Sequence, residues 1–335
     1  MKLGEYPLPR FWRLTAVAGI TLVAAGMAVA SGGPAMAATR SHLHTAAVAV
    51  TTVPHLGFVQ TAHTASGTVE VHADTFSNGH HRVLDAVSDF SPADAANGTF
   101  ELLFQNIING APELAFIQTA GTGTGTVAVH LDALSNGQYR RILDATSDFP
   151  QSDAQVGTFQ VFGGLAGAPE LGFIQTVGTA SGTAELNLDA FNNGYHHFYS
   201  FSSDFSTAAA HNGTFVLFGA GLPDFAFIQT AGTGSGTVEV HVDFFAGTNP
   251  NRYGRILDAT SDFSPADAHN GTFQYFGVAN GQLELGLVQT ASTGTGAVEA
   301  HVDAFNNGTY QRILNSGSDF SLADVPNGTF QLYGI

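Results

Sequence analysis

One short segment is written five times in this chain, and no other feature restricts the fold as much. The copies open LGFVQTA at Leu56, LAFIQTA at Leu114, LGFIQTV at Leu171, FAFIQTA at Phe225 and LGLVQTA at Leu285. Their glutamines, Gln60, Gln118, Gln175, Gln229 and Gln289, stand 58, 57, 54 and 60 residues apart. Repetition at a near-constant period means one supersecondary unit copied along the chain, each copy burying its apolar face against its neighbours.

The second copy shows what the unit is. PELAFIQTA (112–120) has bulky residues on both faces, which implies cover on both sides, as between stacked sheets. A Gly-rich connector, GTGTG (121–125), leads into TVAVHLDAL (126–134), which alternates Val127, Val129 and Leu131 against Ala128, His130 and Asp132. Asn136-Gly137 is a hairpin signal, and YRRILDATSDF (139–149) and GTFQVFG (157–163) supply the third and fourth strands. Between them lies SDFPQSDA, in other copies SDFSPADA, where Ser91, Pro92 and Asp94 read as one capped turn of short helix or 3₁₀. Four short antiparallel strands repeated radially make a propeller blade. A β-helix coil would be shorter and a trefoil would show three units, so the expected fold is all-β, a five-bladed β-propeller of four-stranded antiparallel blades.

The first 37 residues read as a secretory signal peptide: Lys2, Arg10 and Arg13, an apolar run from Leu14 to Ala30, then Ala35-Met36-Ala37 as a small-residue cleavage site. The chain then divides into that leader (1–37), a flexible N-terminal end (38–44) and the propeller (45–335), with repeats at approximately 54–111, 112–168, 169–222, 223–282 and 283–335. Either TAAVAVTTV (45–53) or the terminal GTFQLYG (328–334) is a surplus fourth strand, or the first and last blades share strands to close the ring. Without the leader the chain keeps 7 basic and 26 acidic residues, a net charge of −19, and has no Lys, Trp or Cys. Such a surface repels phosphate backbones, so no nucleic-acid partner is expected. The expected protein is extracellular and monomeric, meets no membrane once the leader is gone, and is held together by packing.

The phrase P-E-L-A-F-I-Q-T-x-G-T-G-T-G-x-V-x-V-H resembles the FG-GAP or VCBS-type repeats of secreted propellers. The resemblance covers essentially the whole mature chain. It implies a propeller, export, and service as an adhesion, lectin or wall-binding module. In that family the loop before the first strand carries several acids and wraps calcium. Here one acid per loop survives, as Glu113, Glu170, Asp224 and Glu284, with His55 in the first copy. Calcium takes six to eight oxygen ligands, so these four are weak candidates, and no cofactor is expected.

Two motifs recur with chemistry in them. The second strand carries His-x-Asp as His72 and Asp74, His130 and Asp132, His241 and Asp243, and His301 and Asp303, with Asn187 and Asp189 in the third copy. Metal binding or acid–base work suits such a pair, but a pair stamped into nearly every copy is better explained as a structural polar network. The third strand opens with Tyr139, Tyr195, Tyr253 or Tyr310, and two residues on stands Arg141, Arg255 or Arg312. A ring beside a planar multi-donor group is a candidate sugar platform. The competing assignment pairs the arginines with Asp85, Asp144 or Asp258. The remaining acids, Asp89 and Asp94 and their copies, read as turn caps.

The leading expectation is therefore a non-catalytic module binding a glycan or cell-surface polymer multivalently. The alternative is a protein-interaction scaffold without a small ligand. A third possibility is a five-bladed glycoside hydrolase, which needs carboxylates facing each other across the central channel. Against it stands the apparent lack of any acid unique to one copy.

Overall fold

A computed structural model describes residues 53–334, apart from 109–110, 164–168, 219–222, 246–252 and 278–282; the expected leader and N-terminal end lie outside the described residues. The chain is nearly all β. Its strands run β1 (Pro54–Gln60), β2 (Glu70–Thr75), β3 (His81–Val87), β4 (Gly98–Ile108), β5 (Ala111–Gln118), β6 (Thr126–Ser135) and β7 (Gln138–Pro150). They continue through β8 (Gly157–Gly163), β9 (Pro169–Gln175), β10 (Thr183–Phe191), β11 (Tyr195–Ser206), β12 (Gly213–Phe218) and β13 (Asp224–Gln229). The last are β14 (Glu239–Phe245), β15 (Tyr253–Thr260), β16 (Gly271–Gly277), β17 (Leu283–Gln289), β18 (Ala297–Asn306), β19 (Thr309–Ser321) and β20 (Gly328–Gly334). Among the described residues no helix is long and apolar enough to cross a membrane.

The turns form where the sequence places them. Asn136 and Gly137 have φ of 52° and 75°, the left-handed pair a two-residue hairpin needs. Ser91 caps the 3₁₀ turn Pro92–Ala96, accepting from the Ala93 N–H, while Asp94 accepts from the Ser91 N–H.

Hydrogen bonding gives three sheets, of eight, four and eight strands, in place of the five separate four-stranded sheets expected. The difference is small in physical terms. Each eight-stranded sheet is two antiparallel groups of four joined at the outer edge by a single parallel bridge, Val87 to Gln138 or Thr260 to Thr309. The groups also differ in frame from the sequence repeat. Each repeat's fourth strand pairs with the next repeat's first, as β4 does with β5. That offset answers the closure question: C-terminal β20 pairs along the whole of β1, from Pro54–Gly334 to Gln60–Gly328. The candidate strand 45–53 lies almost wholly outside the described residues.

The innermost strands, β4, β8, β12, β16 and β20, touch one another in a closed cycle, β20 returning to β4. The apolar core is correspondingly five clusters, each filled from two successive groups. One combines Val127, Val129 and Leu131 with Phe159, Leu171 and Phe173; another joins Leu56 and Phe58 to Val298, Val302 and Phe320. The architecture is β-propeller-like.

Each inner strand begins Gly-Thr-Phe for a steric reason. A Cβ on Gly157 would stand 2.1 Å from the Ile174 carbonyl oxygen and 2.6 Å from the Phe173 ring, which stacks on Phe159 at 4.7 Å. Backbone cannot yield that space. Gly157→Ala is expected to cost roughly 3 kcal/mol or more, whereas Gly234→Ala, with nothing within 4 Å, should be close to neutral. Urea unfolding of the two variants checks this.

Candidate functional site

The residues singled out in the sequence come together between neighbouring groups, not on an open platform. Tyr139, Tyr195, Tyr253 and Tyr310 are between 0 and 2% exposed. Tyr139 and Tyr253 donate to the carbonyls of Pro112 and Pro223 at 2.9 and 2.8 Å, and Tyr310 pairs with the Tyr275 hydroxyl at 2.7 Å. A ring buried on both faces has no surface for a sugar. The ligand-platform expectation is corrected accordingly.

The arginines are equally committed. Arg82, Arg141, Arg255 and Arg312 each donate from Nε to the Asp of their own His-x-Asp motif, at 2.6, 2.7, 2.7 and 2.6 Å. Those aspartates, Asp74, Asp132, Asp243 and Asp303, are 0% exposed, as is Asp189. Each guanidinium also lies over a phenylalanine of the preceding group: Phe320, Phe90, Phe205 and Phe263, at 4.2–4.4 Å from the ring centroid. Three of them reach further, to Asp89, Asp204 and Asp262 beside those rings, at 3.4, 2.6 and 2.6 Å. Asp89 and Asp262, expected to cap turns, instead receive the next group's arginine, as Asp204 does, while Asp148 accepts the His197 N–H and Asp319 meets His80; Asp94 and Asp267 do the capping.

The contact is tied a second time through backbone. The Asp319 N–H donates to Asp74 at 2.8 Å and the Asp148 N–H to Asp189 at 3.1 Å. In the third copy His197 replaces the arginine, 3.5 Å from Asp189, and its own N–H donates to Asp148 at 3.0 Å. The histidines sit behind this clasp. His72 pairs with Asp85 at 2.6 Å and Gln60 at 3.2 Å, and His241 with Asp258 at 2.5 Å and Gln229 at 3.1 Å. His130 and His301 meet Gln118 and Gln289 at 3.1 and 2.9 Å, and burial lowers the pKa of both.

The weak calcium candidates remain apart. Glu113, Glu170, Asp224 and Glu284 stand one to a strand, near the start of β5, β9, β13 and β17, and much of the loops before them lies outside the described residues. Among the described residues no three His, Cys, Asp or Glu side chains group as metal ligands. Desolvation pushes the Glu284 carboxyl up to about 7, which makes it a poor partner for a cation.

The feature the repeats do not share lies on the axis. Along the inner strands one position points to the centre in every group, filled by Glu101, Gln160, Val216, Gln274 and Gln331. These line a cavity of about 300 Å3, walled further by Phe162, Phe218, Phe276 and Tyr333. Three of the polar side chains pass a hydrogen bond to the next inner strand around the cycle: Gln331 accepts from the Leu102 N–H at 2.6 Å, Glu101 from Val161 at 3.0 Å and Gln160 from Leu217 at 2.8 Å. Gln274 does the same for Leu332 at 2.5 Å and donates to the Phe330 carbonyl at 2.7 Å.

Glu101 is the sole carboxyl among these lining residues. It is half-buried, and desolvation raises it to about 7 against the lowering effect of the Val161 N–H. A carboxyl poised near neutrality in an aromatic-walled cavity is a competent proton donor. It escaped the sequence reading because the acids were compared along the His-x-Asp and S-D-F strands alone. Alignment of GTFELLF with GTFQVFG, GTFVLFG, GTFQYFG and GTFQLYG isolates it at once.

No protein-family model matches this chain, and no curated protein matches it. Solved structures of similar fold include an exo-β-1,3-galactanase from Clostridium thermocellum, at 12% identity and a TM-score of 0.41 over 77% of this chain and 59% of that one. A β-1,3-galactosidase of glycoside hydrolase family 43 matches at 11% identity and a TM-score of 0.39, covering 77% and 90% of the two chains. A putative 6-phosphogluconolactonase from Bacteroides fragilis matches at 9% and 0.35, over 86% and 99%. At identities and TM-scores this low, none of them bears on what this chain does. The expectation of a non-catalytic, lectin-like module is nevertheless corrected. The Tyr–Arg platforms that suggested a lectin are buried and committed to contacts between groups.

Two outcomes follow from the geometry. Arg255→Ala leaves Asp243 buried without its guanidinium and is expected to cost about 3–5 kcal/mol in urea unfolding. Glu101 contributes stability that is full below its unfolded value of 4.5 and is lost as pH rises through about 7. Between pH 5 and pH 8 the wild type should lose about 2.5 kcal/mol relative to Glu101→Gln, a difference readable from paired unfolding curves.

Proposed function

We propose that the chain is a five-bladed β-propeller and a secreted glycoside hydrolase, with its active site in the axial cavity and Glu101 as proton donor. The five-blade count is supported by the closed cycle of five inner strands and by five successive inter-group contacts built to one plan. Secretion is supported by the leader-like sequence of residues 1–37.

The observation that carries the catalytic reading is the replacement of a repeated Gln or Val by one protonatable Glu at the axis. Glycosidic cleavage needs a proton delivered to the leaving oxygen by a carboxyl that holds it at working pH, and a second carboxylate as nucleophile or base. The described lining supplies the first as Glu101 and contains no second carboxyl, so the role proposed here is that of the acid alone. Glu101 meets this requirement through desolvation. The aromatic walls and the amides of Gln160 and Gln331 on either side suit the apolar faces and hydroxyls of a sugar ring. A cavity of about 300 Å3 lies at the small end for ligand sites, which favours one sugar unit over an extended chain.

The test is turnover of a panel of aryl glycosides. Glu101→Gln puts at this position the residue three other copies carry, so the fold tolerates it while the proton is lost. Activity should fall by about 10²–10⁴, and the wild-type rate should decline as pH rises past about 7. Unchanged turnover in Glu101→Gln, or no turnover by correctly folded wild type, overturns the proposal.

A further inference from the structure

The axial relay of side-chain acceptors is interrupted at one place. Going around the cycle, the inner strand of each group presents an N–H to a side chain of the group before it: Leu102 to Gln331, Val161 to Glu101, Leu217 to Gln160 and Leu332 to Gln274. The fifth such N–H belongs to Tyr275, which aligns with Leu102, Val161, Leu217 and Leu332. The residue that should accept from it is Val216, which has no acceptor. No side chain among the described residues takes the Tyr275 N–H, although both residues line the axial cavity.

Strand pairing does not rescue it. Tyr275 faces Leu285 across β16 and β17, as Leu102 faces Leu114 across β4 and β5. The Leu102 N–H turns away from its partner strand to reach Gln331. The same alternation turns the Tyr275 N–H toward the axis. A buried main-chain donor needs an acceptor from somewhere, and in a polar cavity the acceptor is water or a ligand.

The position of the gap matters as much as its existence. In the cycle β4, β8, β12, β16, β20, the junction of β12 with β16 lies opposite β4, which carries Glu101. The amides of Gln160 and Gln331, on the strands flanking Glu101, use their carbonyl oxygens on neighbouring strands. Among the described residues their amino groups make no hydrogen bond, so they too face the cavity as donors. The site therefore offers a main-chain donor across the axis from the one carboxyl, with side-chain amide donors beside that carboxyl.

We infer that Val216 opens a ligand subsite in which the Tyr275 main-chain N–H binds an oxygen of a monosaccharide unit on the side of the cavity opposite Glu101. This rests on the axial-cavity reading above but not on hydrolysis. The recognised chemistry is an oxygen acceptor, which a neutral hexose supplies as a hydroxyl and a hexuronic acid as a carboxylate. Val216 acts as a specificity-determining residue by its lack of an acceptor; a Gln there would occupy the N–H, as its counterparts do in the other groups.

Residue-resolved amide hydrogen exchange tests this without any assay of turnover. In the free protein the Tyr275 amide should exchange roughly tenfold faster than those of Leu102, Val161, Leu217 and Leu332. Saturating D-galactose or D-galacturonate should slow Tyr275 selectively, and whichever protects more identifies the neutral or the anionic oxygen. In Val216→Gln the Tyr275 amide should become as slow as the other four, and sugar affinity should drop roughly tenfold. Equal exchange at all five positions in the wild type overturns the inference. So does fast exchange at Tyr275 that neither sugar alters. Protection by sugar without hydrolysis of any glycoside would sustain this subsite while removing the hydrolase proposal.

Discussion

The structure depends on a cation held between two groups of strands. A guanidinium such as that of Arg255 is fully used: Nε on the buried Asp243, Nη2 on Asp204 of the preceding group, and its face on Phe205. With charged residues only 11% of the chain, these few arginines stand where a packed β-interface is otherwise held by apolar contacts alone. Cation–π contact adds an estimated ~0.5–2 kcal/mol per site, and the ion pairs fix the angle at which each group meets the next. Apolar clusters supply most of the burial but are tolerant of sliding; the clasp is directional. Its repetition at four junctions of the cycle, with His197 at the fifth and the pairing of β20 with β1, spreads closure around the structure.

That regularity explains why so much of the fold could be read from residues alone. Period, turn chemistry at Asn136-Gly137 and the Ser-Pro-x-Asp caps are local signals, and local signals repeated five times reinforce one another. Pairings across groups were less visible. The aspartates three residues on suggested themselves as partners and do pair, Asp85 with Arg82 at 2.8 Å, Asp258 with Arg255 at 2.6 Å and Asp144 with Arg141 at 3.8 Å. Asp132, the closer partner of Arg141, and the stacking Phe90 lie elsewhere in the chain. The frame of the sheets was hidden for the same reason: nothing in GTFQVFG says that it pairs forward with PELGFIQ and not only back within its own repeat.

The tyrosines show how a motif misleads when only spacing is considered. Tyr139 and Arg141 do share a face, but that face meets the preceding group and not solvent. Glu101 shows the reverse. It was conspicuous by comparison with its four counterparts, yet in a repeat protein attention goes to what recurs. Symmetry holds this structure together; the third copy departs from it at an interface, with Asn187 for His and His197 for Arg, while Glu101 for Gln and Val216 for Gln fall in the axial cavity. At the interface the substitution keeps its contacts to Asp189 and Asp148, whereas at the axis the inner strands face open space and the change alters the chemistry.

The central claim is that one carboxyl on the axis titrates near neutral pH because its surroundings desolvate it. Carbon-13 NMR titration of the labelled Glu101 side-chain carboxyl, assigned by its loss in Glu101→Gln, measures this directly. The account predicts a midpoint near 7. A midpoint close to the ordinary glutamate value of about 4.3 would mean that the carboxyl is solvated and charged, and would contradict the role given to it here.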